Sequence, residues 1–267
     1  MYKAVFIDMD GTLLQKDHTI SDTSKKVIKE LLDKGILIVP ISARPLHGIL
    51  PISQQLFPDT IPVVSLNGSY IFLNNEIIYQ SAVPLEDVVS VHKEIAPHDV
   101  SAMYYSQMDW YAEADNAHIQ KEQKITDVKI KIQPFHLTVD EWKAKQNGPN
   151  KILIAGNADL INGIEKRLIE DHGDKLNMSK SKTTYLEVMS LGSSKTKAIK
   201  FLLERYGIRQ NEIIAIGDNF NDKEMIEFAG VGVAMGNAPD EIKKVADYVT
   251  ATNNEDGVAK ALNHFFN

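Results

Sequence analysis

Residues 4–12, AVFIDMDGT, place an apolar run directly in front of two aspartates, and the architecture of the chain can be worked out from this stretch. Four consecutive apolar residues predict a buried strand, and so short a run does not fit the apolar region of a signal peptide. Ligands of open α/β sheets bind at the carboxyl ends of the strands. Alternate residues of an extended chain point the same way, so Asp8 and Asp10 project two carboxylates into one crevice, and Gly11 permits the sharp turn that follows.

Two neighbouring carboxylates repel each other, and this repulsion limits the functions that Asp8 and Asp10 can have. The repulsion is relieved when a divalent cation lies between them, or when one carboxyl keeps its proton and serves as an acid, and both suit phosphate chemistry. A solvated turn rich in Asp and Gly is the other interpretation. A calcium loop does not fit, since that pattern requires Asp or Asn, then Gly, then Glu where this chain has Thr12, Leu13 and Thr19.

A second acidic stretch, GDNFND at residues 217–222, also follows an apolar strand and precedes a helix. If both strands lie in one parallel sheet, Asp218 completes a magnesium site with Asp8, while Asn221 and Asp222 orient neighbouring groups. Taken alone, the stretch is typical of a turn with a helix cap. The two stretches together, each at the end of a strand, favour a functional site.

The hydrophobic pattern predicts alternating strands and helices at both ends of the chain. Strands are predicted over residues 4–7, 36–41, 63–66, 213–216 and 231–234, and helices over 21–34, 195–206 and 222–228 and from 239 and 255. Ser21 is the predicted N-cap of the first helix and Gly35 its stop. Such alternation builds parallel sheets, so we expect an α/β fold with a Rossmann-like parallel-sheet core.

The middle of the chain has a different character, with hairpin-like strands predicted over residues 101–105, 110–113, 151–155 and 185–189. We expect residues 1–81 and 188–267 to form the core and residues 82–187 to form an inserted α+β domain. The other interpretation makes this segment a continuation of the same sheet.

The composition limits the class of protein. Of 267 residues, 43% are hydrophobic and 24% charged, which is ordinary for a globular protein. No cysteine is present, so disulfides, a thiolate nucleophile and Cys-ligated metals are excluded, and the cytoplasm is the expected location. A net charge of -7 disfavours nonspecific nucleic-acid binding. No stretch approaches the roughly 20 apolar residues that span a bilayer, and nothing indicates an obligate protein partner.

The two aspartate stretches, in this order and at these strand ends, resemble the motifs of the haloacid dehalogenase (HAD) superfamily, and the chain looks most like its Cof-type sugar-phosphatase branch. The resemblance covers essentially the whole chain. Ser42, at the end of the next core strand, matches the second motif, and Lys195 matches the lysine of the family. Ala43 and Thr196 depart from the pattern, because glycine is usual at both positions. A Cβ at residue 43 restricts φ and the close approach of backbone to phosphate.

The resemblance implies a magnesium-dependent phosphatase that hydrolyses small phosphomonoesters, with sugar phosphates as the expected class, through an aspartyl-phosphate. It implies that Asp8 is the nucleophile and Asp10 the general acid and base. It further implies that Mg²⁺ is held by Asp8, Asp218 and the main-chain carbonyl of Asp10. Asp222 is expected to orient these groups without binding the metal itself. The phosphate-binding residues that it implies are Met9, Ser42, Ala43, Lys195 and Asn221.

The resemblance also implies that residues 82–187 act as a cap that sets substrate specificity, and that Arg44, Asn67 and Gly68 belong to a substrate loop. Asn-Gly is also a common turn, so both interpretations of residues 67 and 68 remain open. The expected partner is a small phosphorylated metabolite.

Two rival functions remain open at this stage. A sugar phosphomutase or phosphotransferase would use the same aspartyl-phosphate with a sugar hydroxyl in place of water. A catalytically silent module that binds a phosphorylated metabolite would keep the fold alone, and could dispense with Asp8, Asp10 or Lys195, all of which are present.

Overall fold

The structure is a computed structural model that describes residues 2–126 and 128–266. In chain order its strands are β1 Ala4–Asp8, β2 Leu37–Ile41, β3 Val63–Ser65, β4 Tyr70–Leu73, β5 Glu76–Gln80, β6 Ser101–Ser106, β7 Asp109–Ala112, β8 Lys131–Ile132, β9 Lys151–Ala155, β10 Leu176–Lys182, β11 Tyr185–Ser190, β12 Ile213–Gly217, β13 Val231–Ala234 and β14 Tyr248–Val249.

The helices, again in chain order, are α1 Asp22–Asp33, α2 Leu46–Ser53, α3 Leu85–Ile95, α4 Ala117–Thr126, α5 Phe135–Ala144, α6 Ala158–His172, α7 Lys195–Tyr206, α8 Lys223–Phe228, α9 Asp240–Lys243 and α10 Gly257–Phe266. Short 3-10 turns cover Gln210–Glu212, Phe220–Asp222 and Asn253–Glu255, and a tight turn with positive φ covers Leu66–Gly68.

One sheet has the strand order β14-β13-β12-β1-β2-β3-β4-β5. The strands from β14 to β3 pair in parallel, and β4 pairs antiparallel with β3. Every residue of β1 is buried, as expected for a strand whose sheet is covered by helices on both faces. The predicted α/β class with a parallel-sheet core is confirmed.

The register of this sheet determines where the site lies. Asp8 of β1 pairs with Ile41 of β2, and β12 pairs with β1 up to the residue before Asp8. The chain therefore leaves β2 at Ser42 and β12 at Asp218 along the same edge of the sheet as Asp8.

Helix α1 begins and ends where the sequence predicts. Oγ of Ser21 accepts a hydrogen bond from the backbone N of Ser24 at 3.1 Å, and this satisfies one of the unpaired N–H groups of the first turn. Gly35 has φ +80°, and the following N–H of Ile36 donates to the carbonyl of Leu31 at 3.0 Å. This is the left-handed stop that glycine supplies at least strain.

The core of the parallel sheet joins β1 and β12 to the helices that cover them. Val5 and Ile7 of β1 are fully buried with Ile214 of β12, Ile28 of α1 and Leu262 of α10. Each such side chain contributes about 1.5–3 kcal/mol through the removal of apolar surface from water. The strand ends that carry Asp8 and Asp218 are therefore held by a close-packed apolar core.

The chain divides into two compact units. The first takes in the chain up to Ala43, Ile49–Ile78 and the chain from Ser194, and the second consists of Arg44–Gly48 and Tyr79–Ser193. The second unit contains a sheet of order β10-β11-β9-β6-β7-β8, which is antiparallel except for the parallel pair β7 and β8.

The predicted domain boundaries, after residue 81 and before residue 188, stay predictions. In the second sheet β11 runs to Ser190, because its pairing with β10 extends to the pair Leu176 and Ser190. Within the parts of the chain that the structure describes, no helix combines the length and the apolar character needed to cross a bilayer.

Candidate active site

The first unit brings four chemistry-bearing residues to the carboxyl edge of its sheet. Asp8 ends β1, while Ser42 and Asp218 follow β2 and β12. Lys195 is the first residue of α7, which begins at this site because Oγ of Ser194 accepts a hydrogen bond from the N–H of Lys197 at 3.1 Å.

Lys195 joins two buried carboxylates. Its Nζ donates to Oδ1 of Asp8 at 2.5 Å and to Oδ1 of Asp222 at 2.5 Å, and the three side chains are almost completely buried. Burial lowers the pKa of Lys195, but the charges of Asp222 and Asp8 and the hydrogen bonds to them outweigh burial and raise this pKa. The ammonium group therefore stays charged at neutral pH.

The pKa of Asp8 lies well above its ordinary value. Burial is the main cause and the negative charge of Asp222 the second, while Lys195 acts in the opposite direction. One lysine cannot neutralise the acidic groups around it. Asp8, Asp218 and Asp222 can bring carboxylate oxygens within 4.8 Å of one another, so three carboxylates and one ammonium leave a formal charge of two negatives.

Asp222 is fixed by the backbone as well as by Lys195. Its Oδ2 accepts hydrogen bonds from the N–H groups of Asp218 and Asn219, both at 3.0 Å. These bonds close the turn after β12 and leave Asp222 fully buried. Its carboxylate is therefore occupied in holding Lys195 and the turn.

Asp218 is oriented by side chains from two other loops. Thr12 Oγ1 donates to Oδ1 of Asp218 at 2.9 Å, and Asn237 Nδ2 donates to Oδ2 at 3.3 Å. Burial raises the pKa of Asp218 to about 6. Gly11 has φ +81°, and a Cβ at this position would overlap the carboxylate of Asp218. Glycine is therefore required after Asp10 both by the left-handed backbone and by the lack of space for a side chain.

Asp10 differs from the other acids. Its side chain is 44% exposed, and its Oδ1 lies 3.7 Å from Nδ1 of His18. In the parts of the chain that the structure describes, the acidic group suited to a metal contains Asp8, Asp218 and Asp222 but not the Asp10 carboxylate. The family resemblance leads us to expect that Asp10 would bind a metal through its main-chain carbonyl and not through this carboxylate.

Three further predicted residues lie close together beside this group. Asn221 Nδ2 donates to Oδ1 of Asn67 at 3.1 Å, and the N–H of Asn67 donates to the carbonyl of Ser42 at 2.9 Å. Gly68 follows with φ +89°. The structure thus brings the Asn-Gly dipeptide to the site region.

The remaining predicted residues are placed as follows. Met9 is fully buried in the core, so only its backbone can serve a ligand, and Ala43 is partly buried at the end of β2. Arg44 belongs to the second unit and donates to the carbonyl of Gly48 at 3.5 Å. Thr196, which stands where glycine is usual in the family, is buried with its hydroxyl unpaired within the described structure.

Sequence reasoning missed Thr12 and Asn237. Thr12 is part of the first acidic stretch itself, and Asn237 follows β13 in the loop GNAP, residues 236–239. Asn237 could have been found from the sequence, because it lies in a polar loop directly after the predicted strand β13, and the loops that follow parallel strands meet at one edge of the sheet.

Comparison with known proteins shows which family this chain belongs to. Residues 5–262 match the model of the family described as haloacid dehalogenase-like hydrolase. A protein of Haemophilus influenzae named as a candidate phosphatase is 43% identical over 100% of this chain and 99% of its own length. The 5-amino-6-(5-phospho-D-ribitylamino)uracil phosphatase YcsE of Bacillus subtilis is 33% identical over 98% of this chain and 95% of its own length.

A solved structure shows the same likeness in three dimensions. The sugar phosphatase BT4131, of HAD subclass IIB, superposes with a TM-score of 0.84 and 27% identity over 98% of this chain and 98% of that chain. The similarity thus extends over both compact units.

Proposed function

Because this chain belongs to the haloacid dehalogenase-like hydrolases and is a phosphatase of that class, we propose that it hydrolyses small phosphomonoesters with Mg²⁺ through an aspartyl-phosphate on Asp8. One observation carries the proposal: Lys195 binds Asp8 and Asp222 at 2.5 Å each, with Asp218 in the same acidic group. A buried carboxylate beside a fixed ammonium suits a nucleophile that must meet an anionic substrate.

In the first half-reaction, a carboxylate oxygen of Asp8 attacks phosphorus and the bond from phosphorus to the ester oxygen breaks. The leaving oxygen takes a proton from Asp10. In the second half-reaction, water attacks the phosphorus of the aspartyl-phosphate and gives a proton to Asp10. The bond from phosphorus to Asp8 then breaks, so inorganic phosphate leaves and both carboxyl groups return to their starting states.

The phosphoryl oxygens need hydrogen-bond donors and positive charge in the transition state. Lys195 supplies a charge that burial keeps from solvent. We assign the further donors to the side chains of Ser42 and Asn221 and to the backbone N–H groups of Met9 and Ala43. Asp222 keeps Lys195 in place and does not itself meet the substrate.

The acidic group fits a hard divalent cation. Its donors are carboxylate oxygens, and its formal charge of two negatives matches the charge of one such ion. Asp8, Asp218 and the main-chain carbonyl of Asp10 would hold Mg²⁺. When bound, the ion would neutralise charge on the nucleophile and on the phosphoryl oxygens.

For the substrate, we propose a phosphomonoester of a polyhydroxylated carbon chain. Two similar proteins support this class: one is named for a phosphorylated ribitylamino compound and the other is named a sugar phosphatase. We further propose that residues 82–187 determine which substrate is taken, and that the protein works in the cytoplasm.

The test is release of inorganic phosphate from a panel of sugar phosphates, flavin mononucleotide, pyridoxal phosphate and an aryl phosphate, with Mg²⁺ and with a chelator. We expect release that requires the metal and disappears in Asp8→Asn. Phosphate release with full activity in Asp8→Asn would overturn the assignment of the nucleophile.

Asp33→Asn is the matched control, because Asp33 is an exposed aspartate of the same unit at the end of α1. Its activity is expected to equal that of the wild type. Isomerised sugar phosphate without free phosphate would support a mutase instead, and binding without turnover would support a silent module.

A further inference from the structure

The turn Leu66–Gly68, which follows β3, has an unusual backbone. φ is +48° at Leu66, +53° at Asn67 and +89° at Gly68, so three consecutive residues lie in the left-handed region. Glycine adopts this region freely and asparagine more readily than most residues, whereas it is unfavourable for leucine. Such strain persists where surrounding contacts over-determine the backbone, and it concentrates at functional sites.

The backbone of this turn contacts two of the predicted phosphate-binding segments. The N–H of Asn67 donates to the carbonyl of Ser42 at 2.9 Å. A Cβ at Gly68 would collide with the carbonyl oxygen of Ser194 and lie 2.9 Å from the backbone N of Lys195. The turn therefore packs directly on the first residues of α7.

The side chain of Asn67 contacts a third segment. It is 9% exposed, and its Oδ1 accepts a hydrogen bond from Nδ2 of Asn221 at 3.1 Å. An amide nitrogen carries two hydrogens, so a bond through one of them fixes the plane of the amide and the direction of the other. Asn67 thereby determines where Asn221 can donate.

We propose that Asn67 is a positioning residue whose side chain orients the amide of Asn221 toward the transferred phosphoryl group, while the backbone of the Leu66–Gly68 turn packs against Ser42 and Lys195. The inference rests on the proposed function and deepens it. It departs from the role in a substrate loop that the family resemblance implies for residues 67 and 68.

The two roles differ in how they depend on the substrate. The phosphoryl group is common to every phosphomonoester, so a residue that positions its donors affects all substrates by the same factor. A residue that touches the leaving group affects substrates unequally. Misplacement of a catalytic group by about 1 Å can reduce a rate roughly a hundredfold, so loss of one supporting bond is expected to be measurable.

The experiment compares kcat for 4-nitrophenyl phosphate, a hexose phosphate and flavin mononucleotide in the wild type and in Asn67→Gly. Glycine tolerates the left-handed backbone and removes only the amide. We expect kcat to fall about tenfold for each substrate. A second variant, Asn67→Asp, keeps an acceptor oxygen, and its loss is also expected to be uniform across the three substrates.

A double-mutant cycle tests the route through Asn221. In the Asn221→Ala background, Asn67→Gly is expected to change kcat by less than about twofold, because the bond that it breaks is already absent. Asn75→Gly is the matched control, since Asn75 has φ +63°, is exposed and lies in the turn between β4 and β5. Its kcat is expected to equal that of the wild type.

Three results would overturn the inference in an active enzyme: an unchanged kcat in Asn67→Gly, losses that differ between substrates, or an equal loss with and without Asn221. A wild type that releases no phosphate from any substrate would instead overturn the proposed function, and the inference with it.

Discussion

The hydroxyl of Thr12 donates a hydrogen bond to Oδ1 of Asp218 at 2.9 Å, although 206 positions separate the two residues along the chain. This bond joins the turn after β1 to the turn after β12. Asn237 donates to the other carboxylate oxygen, so both oxygens of Asp218 are oriented before any cation arrives. Such supporting bonds commonly determine how tightly a metal site binds.

Thr12→Val keeps the shape of the side chain and removes the donor to Asp218. We expect the Mg²⁺ concentration for half-maximal phosphate release to rise by about tenfold, in the range seen for lost supporting bonds at metal sites. The measurement is a Mg²⁺ titration of initial rates. Thr23→Val, at an exposed position of α1, is the control, and equal titration curves for the two variants would contradict the prediction.

Lys195→Met leaves two buried carboxylates without their cation. Loss of one partner of a buried ion pair destabilises a fold by about 3–5 kcal/mol, and we expect a loss of this size in the absence of metal. Added Mg²⁺ should recover part of it, because the ion replaces some of the missing positive charge. Denaturant unfolding with and without Mg²⁺ measures both effects. Lys197→Met, at an exposed position of the same helix, should unfold like the wild type.

Gly11 and Gly35 allow the cost of backbone strain to be separated from the cost of a steric clash between a new Cβ and its neighbours. Both have positive φ, +81° and +80°, but a Cβ at Gly11 would overlap Asp218 whereas a Cβ at Gly35 meets nothing within 4 Å. Gly35→Ala is expected to destabilise the fold by about 1–2 kcal/mol and to keep full activity. Gly11→Ala should also lose most phosphate release, since Asp218 must move. Equal activity in the two variants would show that the collision is relieved elsewhere.

Glu141 should make the stability of the second unit depend on pH. Hydrogen bonds from Lys131 at 2.6 Å and Lys145 at 2.9 Å lower the pKa of Glu141 from 4.5 to about 2. The folded-state pKa is depressed, so the stabilisation is present above pH 4.5 and is lost as pH falls toward 2. Because the three side chains are 24–52% exposed, we expect Glu141→Gln to lower stability by less than about 1 kcal/mol at pH 7.

Tryptophan fluorescence can report this effect. The chain has two tryptophans, Trp110 and Trp142, and both lie in the second unit. The difference in denaturant midpoint between Glu141→Gln and the wild type should shrink between pH 5 and pH 3. Glu170→Gln, at an exposed position of α6, should show no such trend, and a difference that stays constant with pH would refute the role of Glu141.

Much of the fold follows from hydrophobic periodicity. The bounds of β13 and α7 agree with the prediction, and β1 and β12 extend one residue beyond it. The sequence analysis did not predict the hairpin of β4 and β5, whose turn residues Asn74 and Asn75 have positive φ in the structure. Strands β8 and β14 span only two residues, which is too short for any periodic signal.

The resemblance to Cof-type HAD hydrolases is confirmed, and so is the class of phosphatase. The individual roles of the site residues, the identity of the metal and the domain boundaries stay predictions. The positions after β1 and β12 could be found from the amino-acid order because strand ends of one parallel sheet share an edge, a rule that needs no side-chain coordinates.

The order of amino acids within short stretches is thus sufficient to predict the α/β class, the family and the candidate site residues Asp8, Asp10, Asp218 and Lys195. Each of these predictions depends on a pattern that spans only a few residues. The pairing of polar side chains depends on the tertiary structure. Lys195 meets Asp8 across 187 positions, and Asn221 meets Asn67 across 154. Such partners are chosen by the packing of strands and helices, so their identity emerges only when the sheet has brought distant loops to one edge.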